Sequence, residues 1–294
     1  MESVCTDPWQ NLATEAALFE TASLPTLFLW QNADCVVVGK NQRISSECDL
    51  HYAKEHGVAV CRRQSGGGAV FQDEGNLNFS FLFFRPAEEA LFWEGIVAVF
   101  SAFGLQMEKS GRNDLTVNGK KVSGCAYRKQ GNKTLLHGTF LIAVNLEKMR
   151  KCLTPSAEKR AAHGVASVRA RVQNLTESVP SLTVEKWKNT VLEQFCLRFD
   201  GTPRALPTGT EPFAAALKRA SVPETDESGL VRRFGWGTAE VAGATVYSDA
   251  MDAESFRNAA AAWKNGTDKN LQKETEREMY RDLKDWIGGA NETV

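Results

Sequence analysis

The chain has 294 residues, and its 35 Lys and Arg residues balance 36 Asp and Glu residues to a net charge of −1. This balance excludes a strongly basic protein that coats nucleic acid by neutralising phosphates. A hydrophobic fraction of 43% with 24% charged residues is typical of a globular protein and excludes a disordered or collagen-like chain; the length predicts about two domains.

The first third of the chain predicts helices alternating with β-rich segments. Asp7 followed by Pro8 is typical of a helix start, and apolar residues then predict a helix over 9–19. Two β-rich runs, 26–30 and 35–38, flank a short polar turn and predict a hairpin. The elements predicted next are a helix, a strand, a buried strand and a second helix, over 47–55, 58–61, 77–84 and 88–103.

The middle of the chain predicts three more strands, over 114–117, 121–128 and 135–145. Asn118-Gly119, between the first two, is typical of a two-residue hairpin turn. Residues 155–173 then lose any periodic pattern and are rich in Lys, Arg, Ala and Ser. Connections of this length are often functional, so we expect a functional loop there.

The last third predicts a helix over 184–198 and a turn-rich linker over 221–229. The elements predicted after the linker are two strands and two helices, over 231–236, 240–247, from 253, and 269–287. Strands interspersed with helices indicate the α+β class. We therefore expect a catalytic domain over 1–220 and a small C-terminal domain over 228–294.

The cysteine and histidine patterns argue against disulfides and a structural metal. Seven cysteines are an odd number without any Cys-x-x-Cys pair, which predicts free thiols in a reducing compartment. The four histidines include no pair four residues apart. The longest apolar stretch, 96–105, is too short to span a bilayer. The N-terminus has no basic, signal-peptide-like region.

Three consecutive glycines, residues 66–68, follow Arg62 and Arg63 and precede the apolar run 69–71. Consecutive glycines are costly to order and are rare inside a strand. The backbone N–H groups of such a loop can face an anion, and the arginines supply fixed positive charge. A flexible surface turn is the alternative, but the arginines and the immediate return to apolar residues favour a ligand-binding loop.

Two further segments carry candidate site residues. Lys121 begins an apolar strand, and the small residues after it leave room for a ligand against the strand. A lysine at a strand end is more often simply solvated. His137-Gly138-Thr139 lies in a predicted strand, where an interior histidine with satisfied hydrogen bonds is the alternative to a catalytic one.

The segments RRQSGGGAVF, QDEGNLNFSF, NDLTVNGKKVSGCAYR, HGTFL and HGVASVRARVQNL occur in this order. Each motif alone is weak, but the ordered set closely resembles the lipoate–protein ligase family over residues 8–195. Residues 234–290 resemble the small C-terminal domain of that family. The resemblance implies a large mixed-sheet catalytic domain of the biotin/lipoate ligase type with a small C-terminal α+β accessory domain. A looser similarity extends to biotin ligases and octanoyltransferases.

The resemblance implies a reaction in two steps. The carboxylate of lipoate attacks the α-phosphate of ATP, which gives lipoyl-AMP and pyrophosphate. A lysine of an acceptor domain then attacks the mixed anhydride and releases AMP. The implied cofactors and substrates are ATP, Mg²⁺ and lipoate. The implied acceptors are lipoyl domains of 2-oxo acid dehydrogenase acyltransferase subunits and the glycine-cleavage H-protein, without a nucleic-acid or membrane partner. We expect a cytoplasmic monomer.

The same resemblance assigns roles to residues. Lys121 is the catalytic residue, which would bridge the carboxylate and the α-phosphate. Asp114 would orient Mg²⁺, and satisfying a turn at a strand end is its alternative role. The residues implied to bind ATP or the adenylate are Arg63, Gly68, Ala69, Val70, Phe71, Lys121, His137, Gly138, Thr139, Arg169 and Arg171. The residues implied to bind lipoate are Ser65, Gly66, Gly67, Gly68, Lys121 and His137. Leu77 and Phe79 are expected to help build an apolar slot for the acyl tail.

The sequence departs from the family pattern at one position and leaves three other functions open. Gln72-Asp73 stands where the family usually has His-Asp, and a glutamine cannot carry a proton.

An ATP-independent acyltransferase would use a cysteine nucleophile, whose place is taken by Ser156, although Cys125 could serve in principle. A transferase that only accepts preformed lipoyl-AMP would carry almost the same motifs. A non-catalytic carrier-binding protein would have lost the lysine or the glycine loop.

Overall fold

The computed structural model describes residues 1–110, 113–153, 172–221, 223, 231–242 and 245–291. The predicted functional loop lies outside the described residues over 154–171, and so does nearly all of the predicted linker. The boundary between the two predicted domains therefore stays a prediction.

The largest element is a six-stranded sheet in which every neighbouring pair is antiparallel. In spatial order its strands are β1 (Thr26–Trp30), β5 (Asn76–Phe83), β9 (Lys133–Leu141), β8 (Lys120–Gln130), β7 (Asp114–Val117) and β6 (Glu108–Ser110). The predicted hairpin between β7 and β8 is confirmed, with positive φ angles of 52° at Asn118 and 73° at Gly119. This backbone geometry explains why Asn and Gly occupy the turn.

A second, three-stranded sheet contains β2 (Cys35–Val38) between β3 (Ala59–Arg62) and β4 (Val70–Gln72). The predicted hairpin between β1 and β2 is wrong, because β1 pairs with β5 while β2 pairs with β3 and β4. The turn instead carries the chain from one sheet to the other. The buried side chain of Asn32 fixes it there, since it accepts from Asn11 and donates to Gln72.

Six helices are described before residue 221: α1 (Pro8–Thr21), α2 (Leu50–Glu55), α3 (Pro86–Ala102), α4 (Leu146–Cys152), α5 (Val184–Phe199) and α6 (Glu211–Ala220). The start of α1 is confirmed, because the Asp7 carboxylate accepts from the N–H of Gln10 at 2.8 Å. The second helix is shorter than predicted, since Asp49 caps it by accepting from the N–H of Tyr52.

The two faces of the large sheet differ in polarity. Strand β5 alternates, so that Leu77, Phe79 and Phe81 enter the main hydrophobic core with Phe92 of α3 and Trp187 of α5. Residues between them are polar and buried on the opposite face, namely Asn76, Asn78 and Ser80. Neighbouring side chains of a strand point to opposite faces of the sheet. Helices α3 and α5 therefore cover the apolar face, and the polar face lies on the side away from these two helices.

The C-terminal unit is a small α+β structure with its own core. Three strands, β10 (Val231–Phe234), β11 (Gly237–Ala242) and β12 (Thr245–Ser248), precede α7 (Ala253–Lys264) and α8 (Glu274–Asn291). Trp236, Phe256 and Leu283 are buried between this sheet and its helices. The fold is therefore α+β, with a large sheet domain and a small C-terminal α+β domain, as the sequence predicts.

Two other predictions bear on the chain as a whole. All seven cysteines are free thiols, as their number and spacing predict, while the reducing compartment stays a prediction. Within the described part of the chain, every helix is too short or too polar to span a lipid bilayer.

Candidate functional site

A cavity of about 190 Å³ opens between the polar face of the large sheet and the glycine loop. The predicted residues that line it are Arg63, Gly67, Gly68, Ala69, Val70, Asp114, Lys121, His137, Gly138 and Thr139. Its other lining residues are Leu12, Trp30, Val37, Gln72, Asn113, Gly124, Cys125, Ala126 and Met251.

Seven predicted residues do not line the cavity or lie outside the described structure. Two of them, Ser65 and Gly66, belong to the glycine loop but are not on the wall of the cavity. Phe71 is buried on the far face of β4 with Val36 and Val38. Leu77 and Phe79 are in the main core, so the expectation that they build the acyl slot is wrong. The sequence predicts a buried strand here without separating its two faces, and the structure places Leu77 and Phe79 on the face that α3 and α5 cover. Arg169 and Arg171 lie outside the described residues.

Strand register brings the lining residues together. Antiparallel pairing aligns Trp30, Asn78, Thr139, Gly124 and Asp114 in one row across the sheet. The next row on the same face contains Phe28, Ser80, His137 and Ala126. Lining residues from four strands of the large sheet, β1, β9, β8 and β7, therefore face one cavity, although they are far apart in the sequence.

Lys121 reaches into this cavity from the start of β8. Its Nζ lies 2.8 Å from Oδ1 of Asp114, and the two side chains are 33% and 43% exposed. A Cβ built on Gly124 would lie 2.9 Å from the Lys121 Nζ, so a larger residue there would collide with the ammonium group. Gly124 thus lets the lysine lie along the strand and place its charge at the mouth of the cavity.

Arg63 holds the glycine loop in shape. Its guanidinium donates to the Ser65 hydroxyl at 2.9 Å and to the carbonyls of Gly66 and Gly68 at 2.6 and 2.8 Å. Burial lowers the pKa of Arg63 to about 10, so the side chain stays charged at neutral pH. Since these donors are used within the loop, Arg63 acts first as a positioning residue. Its predicted contact with the nucleotide stays a prediction.

His137 belongs to a buried polar chain behind the cavity. One ring nitrogen, Nε2, lies 2.7 Å from the Ser65 hydroxyl, and Nδ1 lies 2.8 Å from the carboxylate of Glu15. The same Glu15 oxygen accepts from Ser80 at 2.5 Å. The chain links α1 to the glycine loop, so His137 and Glu15 support the shape of the site. Sequence reasoning missed Glu15; its one signal was a carboxylate within the apolar run 12–19.

We expect Glu15→Gln to change the acid stability of the protein. Burial raises the pKa of Glu15, but the charge and hydrogen bond of His137, with Ser80 and Arg63, lower it below its ordinary value overall. Ionised Glu15 therefore stabilises the fold above the ordinary carboxyl pKa, and this stabilisation is lost as pH falls through the lower, folded-state value. The variant should lose about 1–3 kcal/mol at pH 7.

Urea unfolding at pH 7 and between pH 5 and 3 measures this effect. The difference between wild type and Glu15→Gln should shrink as the pH falls. Glu94→Gln, which removes an exposed carboxylate, is the matched control and should follow the wild type. A difference that stays constant over the whole pH range would contradict the role of the Glu15 charge.

The C-terminal domain closes one side of the glycine loop. The N–H of Gly67 donates to the carbonyl of Ala250 at 3.2 Å, and Met251 lines the cavity. A buried ion pair between Arg43 and Glu240, 3.2 Å apart, joins the two domains nearby. Neither Ala250 nor Met251 was predicted, because no local sequence signal relates them to the loop.

Residues 7–196 match the family model described as the lipoyl protein ligase A/B catalytic domain. The match covers the large antiparallel sheet and its glycine loop and identifies them as a catalytic domain of the lipoyl protein ligase type. The chain belongs to the lipoyl protein ligase A/B family, as its ordered motifs predict.

Solved structures agree with this assignment. The chain is 26% identical to LipL1 of P. falciparum, crystallised in complex with lipoate, with 97% of this chain and 98% of that chain covered and a TM-score of 0.76. It is 25% identical to a bipartite lipoate protein ligase from Thermoplasma acidophilum, studied with its E2 lipoyl domain, with coverages of 74% and 90% and a TM-score of 0.63. A lipoate-protein ligase A bound with ATP shares the fold, at 23% identity, coverages of 74% and 92% and a TM-score of 0.63.

Proposed function

We propose that this chain is an ATP-dependent lipoate–protein ligase, which activates lipoate to lipoyl-AMP and transfers the lipoyl group to a lysine of an acceptor domain. The observation that carries the proposal is the Lys121 ammonium, which shares one cavity with the glycine loop. The lipoate and ATP bound to similar proteins support the choice of substrates.

The first step must bring a carboxylate to a negatively charged phosphate. A fixed cation and backbone dipoles that face the reacting groups lower such a barrier, typically by several kcal/mol. Lys121 would contact both the carboxylate and the α-phosphate while the new C–O–P bond forms and pyrophosphate leaves. The predicted backbone contacts at Gly68, Ala69 and Val70, which line the same cavity, would hold the nucleotide beside it. The predicted contact at Phe71 stays a prediction.

The carboxylate at the cavity mouth, that of Asp114, fits a magnesium ion that is bound mainly by the triphosphate and water. Among the described residues, His, Cys, Asp and Glu side chains form no group of three that could hold a metal ion. Mg²⁺ on a triphosphate usually keeps its waters and uses only one or two carboxylates. Asp114, which is 43% exposed, would be that carboxylate, and the ion would neutralise phosphate charge.

In the second step the acceptor lysine attacks the carbonyl carbon of the mixed anhydride. The C–O bond to the phosphate breaks, and AMP leaves. Lys121 would polarise the carbonyl, since a compact ammonium can follow partner atoms that shift between the steps. The similar ligase studied with its E2 lipoyl domain supports lipoyl domains as acceptors. The H-protein acceptor, the monomeric state and the cytoplasmic location stay predictions.

The thiol at the cavity argues against an acyltransferase with a cysteine nucleophile. The nucleophile in such a reaction is the thiolate. Desolvation raises the pKa of the Cys125 thiol to about 12, even though Lys121 lowers it in part. Cys125 is therefore protonated at neutral pH and fits better as a small residue of the cavity wall.

Incubation of the purified protein with ATP, Mg²⁺ and lipoate tests the proposal. Without an acceptor, we expect the protein to release pyrophosphate and to form lipoyl-AMP. It should then acylate an apo-lipoyl domain that is added. Acylation only from supplied lipoyl-AMP would instead identify a transferase. Acylation from a carrier-bound acyl group without ATP would identify an acyltransferase.

A further inference from the structure

We infer that Gln72 is a specificity-determining residue, whose amide N–H groups recognise a hydrogen-bond acceptor in the tail of the acid substrate. The dithiolane sulfurs of lipoate are such acceptors, and the methylenes of a plain fatty acid are not. The inference rests on the proposed function, because it concerns the acid that the same cavity takes.

A chain of side-chain amides fixes the orientation of Gln72. The Asn11 amide donates to the backbone carbonyls of Cys5 and Gln31, both at 2.9 Å, so the atom that faces them is nitrogen. The same nitrogen lies 2.9 Å from Oδ1 of Asn32, so that one of its two hydrogens is shared between two acceptors, and the Asn32 nitrogen donates to Oε1 of Gln72 at 2.8 Å.

The Asn78 amide nitrogen also lies 3.3 Å from the same Gln72 oxygen. The Gln72 oxygen is therefore turned into the protein and cannot exchange places with the nitrogen without breaking the chain. Among the residues that the structure describes, the Gln72 NH₂ group has no hydrogen-bond partner, although the residue is only 5% exposed and lines the cavity. The amide donors of Gln72 are thus the groups left for a ligand.

The surroundings of Gln72 place it at the apolar end of the cavity. It pairs across the sheet with Cys35, and the pair of Val37 and Val70 lies two positions away on the same face. Asn78, whose amide nitrogen lies near it, pairs with Trp30 in the adjacent sheet. Trp30, Val37 and Val70 all line the cavity, and the guanidinium of Arg63, which also lines it, is turned toward the backbone carbonyl of Val37 and the glycine loop. The Lys121 and Asp114 side chains lie at the mouth of the cavity.

A buried donor in an apolar pocket selects between acids. A substrate tail with an acceptor forms a hydrogen bond with the buried amide donor. A tail of methylenes displaces water from this donor without replacing the hydrogen bond, and this weakens binding. Sites that bind a polar group through buried partners reject analogues that lack the group more strongly than apolar pockets do. Gln72 should therefore favour lipoate over octanoate through binding of the acid, before any chemistry occurs.

Calorimetric titration of lipoate and of octanoate into the full-length protein tests the inference. In Gln72→Leu we expect lipoate to bind roughly three- to tenfold more weakly and octanoate to bind as well or better, the effect of one lost hydrogen bond. Gln72→His retains a ring N–H donor and should keep the preference for lipoate. Gln130→Leu, at an exposed end of β8, is the matched control and should match the wild type.

Gln72→Met, which keeps the length of the side chain, replaces Gln72→Leu if thermal unfolding shows that the latter does not fold. The inference would be overturned if the ratio of the dissociation constants for lipoate and octanoate were unchanged in the leucine or methionine variant. It would also be overturned if the variant changed only the KM for ATP in an assay of pyrophosphate release. The proposed function is tested separately by pyrophosphate release from the wild-type protein. A wild type that binds both acids but releases no pyrophosphate would end the proposed function and leave the binding preference measurable.

Discussion

Lys121→Ala is expected to abolish acid-dependent pyrophosphate release while leaving the fold intact. Loss of one preorganised group that stabilises transition-state charge costs roughly a hundredfold to a thousandfold in rate, and Lys121 is proposed to act in both steps. The effect on stability should be small, because the ion pair with Asp114 is a third or more exposed and such pairs contribute little. Pyrophosphate release at saturating ATP and lipoate, with a thermal unfolding curve, measures both expectations.

Lys120→Ala provides a matched control for the charge. Lys120 is the preceding residue on the same strand, is exposed, and does not line the cavity. Both variants lose one positive charge, so a rate that falls only in Lys121→Ala assigns the effect to position rather than to net charge. Wild-type rates in Lys121→Ala, or an equal loss in both variants, would refute the catalytic role of Lys121.

Features that depend on neighbouring residues could be predicted from the sequence. The turn at Asn118-Gly119 needs positive φ angles, which Asn and Gly tolerate, so the pair of residues itself reports the turn. The start of α1 follows from Asp7 and Pro8 for the same reason, since the cap and the first helical position are local. The glycine loop stands out by its composition, whereas the role of Lys121 is implied by the resemblance to the ligase family, and the structure brings both to one cavity.

Features that depend on distant contacts could not be predicted in this way. The two strands that flank the turn at Asn32 have ordinary hairpin spacing, yet they enter different sheets, because their pairing is decided by β4 and β5. The bond between Glu15 and His137 joins residues 122 positions apart, and only the register of the strands reveals it. Gln72 was noticed as a departure from a family pattern, but its orientation required the amides of Asn11 and Asn32.

Gly66→Ala is expected to disrupt the contact between the glycine loop and the C-terminal domain. A Cβ at this position would lie 2.1 Å from the carbonyl oxygen of Ala250 and 2.5 Å from that of Met251. Both are backbone atoms, and Arg63 fixes the loop through the Gly66 carbonyl, so the segment of the C-terminal domain must move away. Forcing extra volume into a packed contact typically costs about 1–3 kcal/mol.

Movement of Ala250 and Met251 also opens one wall of the cavity. A displacement of about 1 Å at a site that positions reacting groups can cost on the order of a hundredfold in rate, so we expect a loss of that order in pyrophosphate release. Urea unfolding gives the change in stability, and the initial rate of pyrophosphate release gives the change in activity.

Gly68→Ala is the matched control for stability, since a Cβ there would meet no atom within 4 Å. Its free energy of unfolding should equal that of the wild type or exceed it by up to about 1 kcal/mol, because neither a collision nor a positive φ angle opposes the methyl group and alanine lowers the entropy of the unfolded chain. Equal unfolding free energies for all three proteins would show that Ala250 and Met251 do not press on the loop in solution. A destabilisation confined to Gly66→Ala would instead identify the C-terminal domain as a structural wall of the site, because the two substitutions add the same methyl group two residues apart.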